Sequence, residues 1–267
     1  MASLPSPRLL AVTDQLGRPV TLPFPPQRIV SLVPSQTELL FDLGLGARVV
    51  GVTKFCVHPA AARQQATVVG GTKQFDFAAI DALRPDLIIG NKEENYQAGI
   101  AELAQRYPVW LSDIADLPAA LAMIREVGAL AGAAAPAAAL AASIGQAFAA
   151  LPALGPPIPA AYFIWRRPYM VAAGGTFIND MLRRAGLANV FGTLGRYPEV
   201  SPEQLRTAAP ARILLSSEPY PFGEKHLAEF QAICPAARVQ VVDGELFSWY
   251  GSRLRQVAGY FSELAKS

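Results

Sequence analysis

Short, unbroken apolar runs alternate along the chain with longer stretches in which apolar residues recur every three or four positions. Seven runs stand out: Arg28–Val33, Arg48–Thr53, Asp86–Asn91 and Pro108–Asp113, then Ala160–Trp165, Ala211–Ser217 and Arg238–Gly244. Runs of this length, with no polar alternation and with helical patterns between them, predict parallel strands covered on both faces. The predicted class is α/β, with two Rossmann-like lobes of mainly parallel sheet.

The centre of the chain breaks this rhythm. Leu117–Ala131 places Leu121, Ile124, Val127 and Leu130 on one stripe, with Gly132 as a C-terminal stop, which predicts one amphipathic helix. Pro136 suits the first turn of a second, Ala-rich helix running to about Leu151, and the prolines of Leu151–Ala160 end it. One long helix kinked at Pro136 is the competing reading.

Two segments repeat each other weakly. Thr37–Gly51 and Thr176–Gly192 each follow a strand, and each places a threonine at the opening of an amphipathic helix, then Gly-Leu, an apolar pair and glycine. Ala79–Gly90 and Glu203–Ser216 each read as helix, proline, buried strand. Similar units in similar order predict two related lobes. Ligands of open α/β sheets bind beyond the carboxyl ends of strands, so the expected ligand cleft lies between the lobes.

Composition narrows the function. The 267 residues are 52% hydrophobic and 16% charged, with a formal net charge of +2. That composition excludes disorder, and no concentrated basic stripe marks a nucleic-acid protein. The two cysteines, Cys56 and Cys234, either stay free or form one disulfide. No run is long and apolar enough for a membrane span. The first twenty residues lack the apolar centre of a secretory leader, so either a leader has been removed or the protein stays inside the cell.

The predicted strand-end loops collect aromatic and cationic residues: Lys54-Phe55-Cys56-Val57-His58, Thr72-Lys73-Gln74-Phe75, Asn91–Tyr96, Trp165-Arg166-Arg167-Pro168-Tyr169, Arg196-Tyr197 and Phe247–Arg253. Aromatic faces supply apolar area and arginine forks bind carboxylates, so the set suits a flat or anionic ligand. Pro34–Thr37 reads as a helix cap with free backbone donors, or as purely structural. Cys56 and His58 alternate on a segment predicted to be extended and are expected to face one site. Two such ligands alone fall short of a zinc centre, so no metal site of the protein's own is expected. No Walker A sequence, nucleophile elbow or zincin motif is present.

The stretch RIVSLVPSQTELLFDLGLGARVVGVT, the I-x-A-L-x-P-D-L-I-I pattern at Ile80–Ile89, YFIWRRPYMVAAGGTFINDMLRRAGLANVF and YPEVSPEQL together resemble the periplasmic-binding-protein family for ferric siderophores and vitamin B12, the partners of ABC importers. The resemblance runs from Arg28 to the C-terminus. It implies an extension over residues 1–27, an N-terminal lobe over 28–115, a helical connection over 116–157 containing one rigid lobe-spanning helix, and a C-terminal lobe over 158–267. It implies a monomer that binds without catalysis, with no intrinsic cofactor and with modest lobe closure, in the periplasm; the leader-less start leaves the cytoplasm open.

By position, the resemblance implies ligand contacts from Pro34, Ser35, Lys54, Phe55, Cys56, His58, Thr72 and Lys73. From the other lobe it implies Trp165, Arg166, Tyr169, Arg196, Tyr197, Phe247, Trp249, Tyr250 and Arg253. The cargo it implies is a ferric chelate or a corrinoid; Tyr197 and Thr72 stand where B12-binding relatives carry tryptophan. Glu203 matches a carboxylate that docks on the ABC permease, and Ala78, between Asp76 and Asp81, stands at the equivalent first-lobe position. The alternative reading is an intracellular enzyme or metal-handling protein on the same scaffold, using Cys56 and His58.

Overall fold

Each of the seven apolar runs contains a strand in the computed structural model, which describes residues 8–152 and 155–266. The chain divides into two compact units. Unit one takes the chain through Asp113, Pro118–Gly145 and Tyr250–Arg253; unit two takes Ile114–Leu117, Gln146–Trp249 and the chain from Leu254. The first seven residues, on which the leader reading bears, and part of the proline-rich segment after Leu151 lie outside the described residues.

Unit one opens with an antiparallel hairpin, β1 (Leu9–Thr13) and β2 (Pro19–Pro23), within the segment expected to be an extension. Its turn is closed by the Asp14 carboxylate, which accepts from the backbone of Leu16 at 3.0 Å and of Arg18 at 2.8 Å. There follow β3 (Ile29–Ser31), α1 (Pro34–Asp42), β4 (Val49–Val52), α2 (Ala62–Gln65), β5 (Thr67–Val68), β6 (Gly70–Gly71), β7 (Gln74–Phe75), α3 (Phe77–Leu83), β8 (Leu87–Asn91), α4 (Gln97–Ala104) and β9 (Val109–Ser112). The main sheet runs β5-β4-β3-β8-β9, all parallel. Val30, Leu32, Ile80, Ile88, Ile100, Leu103 and Leu111 form its core.

Two helices follow, α5 (Leu117–Leu130) and α6 (Ala134–Ala149), not one kinked rod. Ile124, Val127 and Leu130 are buried as their spacing predicts. Gly132 separates the helices at φ +79°, a left-handed conformation that costs glycine little. A methyl on Gly128 would stand 2.1 Å from the Ala137 side chain, so this glycine sets how closely α5 and α6 approach. The unit boundary falls inside α6, between Gly145 and Gln146.

Unit two contains β10 (Ile158–Trp165), β11 (Met170–Val171), α7 (Phe177–Arg184), β12 (Leu187–Asn189), α8 (Pro202–Ala208), β13 (Arg212–Ser216), α9 (Leu227–Ile233), β14 (Arg238–Val242), α10 (Glu245–Ser248) and α11 (Leu254–Lys266). Its sheet runs β11-β10-β13-β14, with β12 also on β10; only β11 is antiparallel. Phe163, Val171, Phe191, Ile213, Leu215 and Phe230 fill its core.

The internal echo holds in one place and fails in another. Helix α3 ends at Arg84 with φ 45° before Pro85, and α8 ends at Ala209 with φ 44° before Pro210. In both units a proline bars the right-handed conformation to its predecessor and ends the helix ahead of a buried strand. The two threonines, however, are not equivalent. Thr176 caps α7, its hydroxyl accepting from the Asn179 backbone at 3.2 Å, whereas Thr37 lies within α1, which starts at Pro34. Pro34 occupies the first turn after Val33, and no side chain caps that end, so Pro34–Thr37 is helix body and not a cap.

Candidate ligand-binding faces

In unit one the strand order reverses between β3 and β8, and that carboxyl edge is closed by uncharged polar side chains. Asn95 accepts from the Asn91 backbone at 2.8 Å and donates to the carbonyls of Leu32 at 3.2 Å and Thr72 at 3.1 Å. Ser112 Oγ receives Gln36 Nε2 at 2.6 Å and Asn91 Nδ2 at 3.0 Å. The Thr37 hydroxyl lies 2.7 Å from Ser31 Oγ and 3.1 Å from Cys56 Sγ. Buried, hydrogen-bonded polar groups of this kind rigidify an edge, although Gln36 Oε1 has no partner among the described residues.

Outside this network the loop after β4 turns outward. Phe55 is 50% exposed, and the Lys54 ammonium stands 5.1 Å from its ring centroid, a cation–π geometry. Lys73 donates to the Glu93 carbonyl at 2.6 Å. The segment Tyr250–Arg253 belongs to this unit: Tyr250 donates its hydroxyl proton to Glu94, and Arg253 forks onto Glu38. Burial pushes the Glu38 carboxyl above its ordinary range despite that partner.

In unit two, β10 delivers Trp165 and Arg166 at its carboxyl end. Trp165 is 40% exposed and meets the Tyr220 ring edge-on at 5.6 Å. The Arg166 guanidinium places Nε and Nη2 each 2.8 Å from Glu229 Oε2, and Tyr169 donates to Glu229 Oε1. Burial works to raise the Glu229 carboxyl, but the bonds from Arg166 and Tyr169 prevail and hold it below the usual range. Burial and the bond to Glu229 push the Tyr169 phenol up to about 12. Beyond β13, Glu218 Oε1 accepts from Ser248 Oγ at 2.7 Å and from Trp249 Nε1 at 2.9 Å. Burial raises this carboxyl too. It borders an open depression of about 580 Å³ between the ends of β13 and β14.

A family model described as periplasmic binding protein matches residues 29–233. The chain belongs to that family. The vitamin B12-binding protein of Vibrio cholerae is 30% identical over 227 residues, 79% of this chain and 78% of that one. The periplasmic heme-binding protein RhuT of Roseiflexus sp. RS-1 shares the fold at a TM-score of 0.77 and 24% identity, covering 90% of this chain and 99% of that one. A shorter stretch of 83 residues, 31% of this chain and 26% of the relative, is 34% identical to the uncharacterized ABC transporter substrate-binding lipoprotein YvrC of Bacillus subtilis.

The periplasmic binding protein thus carries the α/β fold and the ligand-binding ancestry expected of it. Most of the expected contact residues sit in strand-end loops of their own unit. Lys54, Phe55, Lys73, Trp165 and Arg196 are exposed, and His58, Thr72, Arg166, Tyr169 and Tyr197 half-buried. Trp249 and Tyr250 are buried, with polar ends on Glu218 and Glu94.

Other expected contacts are enclosed: Pro34 and Ser35 lie buried in the first turn of α1, and Cys56 and Phe247 need correction as well. Cys56 is fully buried, 3.1 Å from the Thr37 hydroxyl and 3.3 Å from that of Thr53, and burial raises its thiol pKa. The cause is local: the Cys56 backbone N–H bonds to the Thr53 carbonyl at 3.0 Å, so the segment turns and the extended alternation with His58 does not exist. Phe247 is also fully buried, its ring packed edge-on against Tyr260 and tilted against Tyr162 and Phe261. It lies in the short helix α10 and points into the unit's core. Both cysteines are free thiols. Sequence reasoning missed Glu38, Glu218 and Glu229 and placed Glu94 only within the candidate loop Asn91–Tyr96; each holds an expected contact residue from a distant point in the chain.

Proposed function

We propose that this protein captures a metal-bearing chelate or macrocycle, a ferric chelate, heme or corrinoid, and delivers it chemically unchanged to the permease of an ABC importer at the periplasmic face of the membrane. One observation carries the reading. Among the described residues, Phe55 and Trp165 are the two most exposed aromatic side chains. Each stands in the loop directly after a strand of its unit's parallel sheet, and each has a cationic neighbour, Lys54 and Arg166. Open α/β sheets bind ligands beyond the carboxyl ends of their strands, and aromatic surface left open there supports cargo contact at both places. Relatives named for vitamin B12 and for heme support a planar, metal-bearing cargo.

We assign cargo contact to Phe55, Lys54, Thr72 and Lys73 in unit one, and to Trp165, Arg166, Tyr169, Arg196 and Tyr197 in unit two. Docking to the permease falls to Glu203, exposed in the first turn of α8, where its carboxylate pairs with its helix neighbour Arg206 at 2.6 Å. Ala78, exposed on α3, offers no charge at the corresponding place, while Asp76 caps that helix and Asp81 pairs with Arg106 at 2.5 Å.

The test is titration of the protein with cyanocobalamin, hemin and a ferric hydroxamate chelate, followed by recovery of the cargo. Stoichiometric binding of one of them, recovered unaltered, is expected. Binding of none, or chemical conversion of the bound one, overturns the reading.

A further inference from the structure

Resting on that reading, we infer that Glu229 is a positioning residue for cargo binding: it fixes the orientation of Arg166 and Tyr169 without itself contacting the cargo. Arg166 is the third residue past the buried part of β10, in a loop where a long side chain has many rotamers. Glu229 removes that freedom. Its Oε2 accepts from both Nε and Nη2 of Arg166, each at 2.8 Å, so the guanidinium plane is set and not merely its charge. Its Oε1 accepts from the Tyr169 hydroxyl.

The support behind this carboxylate is rigid. Glu229 sits on α9 next to Phe230, which is fully buried and packs on Phe163 at 4.7 Å and on Tyr169 at 5.2 Å between ring centroids. The same segment holds Trp165. Tyr220 meets Trp165 edge-on, packs on Phe222 at 4.7 Å, and is backed by His226, whose ring lies 5.6 Å away. Both residues that β10 presents at its end are thus clamped by residues 220–230. A ligand meeting a pre-oriented guanidinium avoids the entropy of ordering it on binding. Glu229 lies sixty-three positions from Arg166 in sequence, so no local motif announces it.

The experiment has a ligand arm and a ligand-free arm. In the first, Glu229→Ala, Arg166→Ala and the double variant are titrated with cyanocobalamin, hemin and ferric desferrioxamine, and each variant's Tm is recorded. If Glu229 acts through Arg166, each single change weakens the bound probe by about tenfold, and the double variant loses little more than either, since residues acting as a unit are non-additive. Glu229→Gln, which keeps an acceptor, restores part of the loss. In the second arm, NMR follows the Arg166 Nε–H signal without ligand; it exchanges slowly in the wild type and rapidly in Glu229→Ala.

Additive losses, or a lowered Tm with unchanged affinity, overturn the positioning role while leaving the proposed function standing. A wild-type protein that binds none of the probes, with a slowly exchanging Arg166 signal, contradicts the proposed function and reduces Glu229 to a structural staple. An Arg166 signal that exchanges rapidly in the wild type overturns the clamp itself.

Discussion

Arg253 closes on Glu38 through two hydrogen bonds, Nε to Oε2 at 3.0 Å and Nη2 to Oε1 at 2.7 Å, with both side chains largely shielded from solvent. The bond ties the segment Tyr250–Arg253 to helix α1 of unit one, although the chain before and after it belongs to unit two. Removing one partner of a shielded pair strands the other. Arg253→Ala is therefore expected to cost on the order of 3 kcal/mol. The loss depends on pH: without Arg253, two influences that lower the Glu38 pKa disappear, and the carboxyl rises further. The destabilisation should be large at neutral pH and shrink below about pH 4.5, where Glu38 is protonated in both states. Urea unfolding of wild type and variant at pH 4 and pH 7 measures it, and an equal loss at both counts against the pair.

Glu218 offers a cleaner pH experiment. Its folded pKa is raised by burial, so the native state binds the extra proton, and stability falls as pH rises from about 4.5 through the folded value. Glu218→Gln keeps an acceptor for Trp249 Nε1 and Ser248 Oγ and removes the charge. The variant should lose this part of the pH dependence while folding normally. Glu218→Ala should instead cost about 1–3 kcal/mol, from two donors left without their acceptor. Thermal unfolding followed from pH 4 to pH 8 distinguishes the three proteins.

The exposed aromatics should separate binding from folding. Phe55→Ala and Trp165→Ala remove side chains that the fold leaves 50% and 40% exposed, so stability should fall only modestly, by up to about 1.5 kcal/mol at Trp165, which also loses its edge-on contact with Tyr220. Affinity for the bound chelate should fall by about tenfold or more for each, as for aromatic anchors elsewhere. Isothermal titration beside thermal unfolding reads both; a large Tm loss with unchanged affinity would make them core residues in disguise.

Thiol chemistry tests the alternative enzymatic reading. Cys56 and Cys234 are both buried and both have raised pKa values, from burial in each case. Maleimide should label neither within minutes in the native protein at pH 7, and both after denaturation. His58→Ala should leave the Cys56 rate unchanged. Rapid native labelling that depends on His58 would revive a thiol–imidazole site.

Much of the fold was legible because buried parallel strands write themselves as unbroken apolar runs, and helix-ending prolines mark the joints before Leu87 and Arg212. The hairpin β1–β2 was not, since its strands alternate exposed and covered residues and carry Pro19 and Pro23 at their ends. The candidate faces were legible as a set of loops and misread in detail. A turn hydrogen bond inverts Cys56, and a single helical turn buries Phe247. The four glutamates that hold Arg253, Tyr250, Trp249 and Arg166 lie 31 to 215 positions from their partners, and pairing over such separations leaves no periodic trace. The return of Tyr250–Arg253 to unit one escaped sequence reading for the same reason.

The claim that cargo is a metal chelate, carried and not converted, is tested most directly by native mass spectrometry with metal analysis on the wild-type protein mixed with cyanocobalamin, hemin and ferric desferrioxamine. One probe should remain bound at one per chain, with its metal in equal amount and its mass unchanged on release. A spectrum showing only free protein with all three, or a released compound of altered mass, would contradict the account.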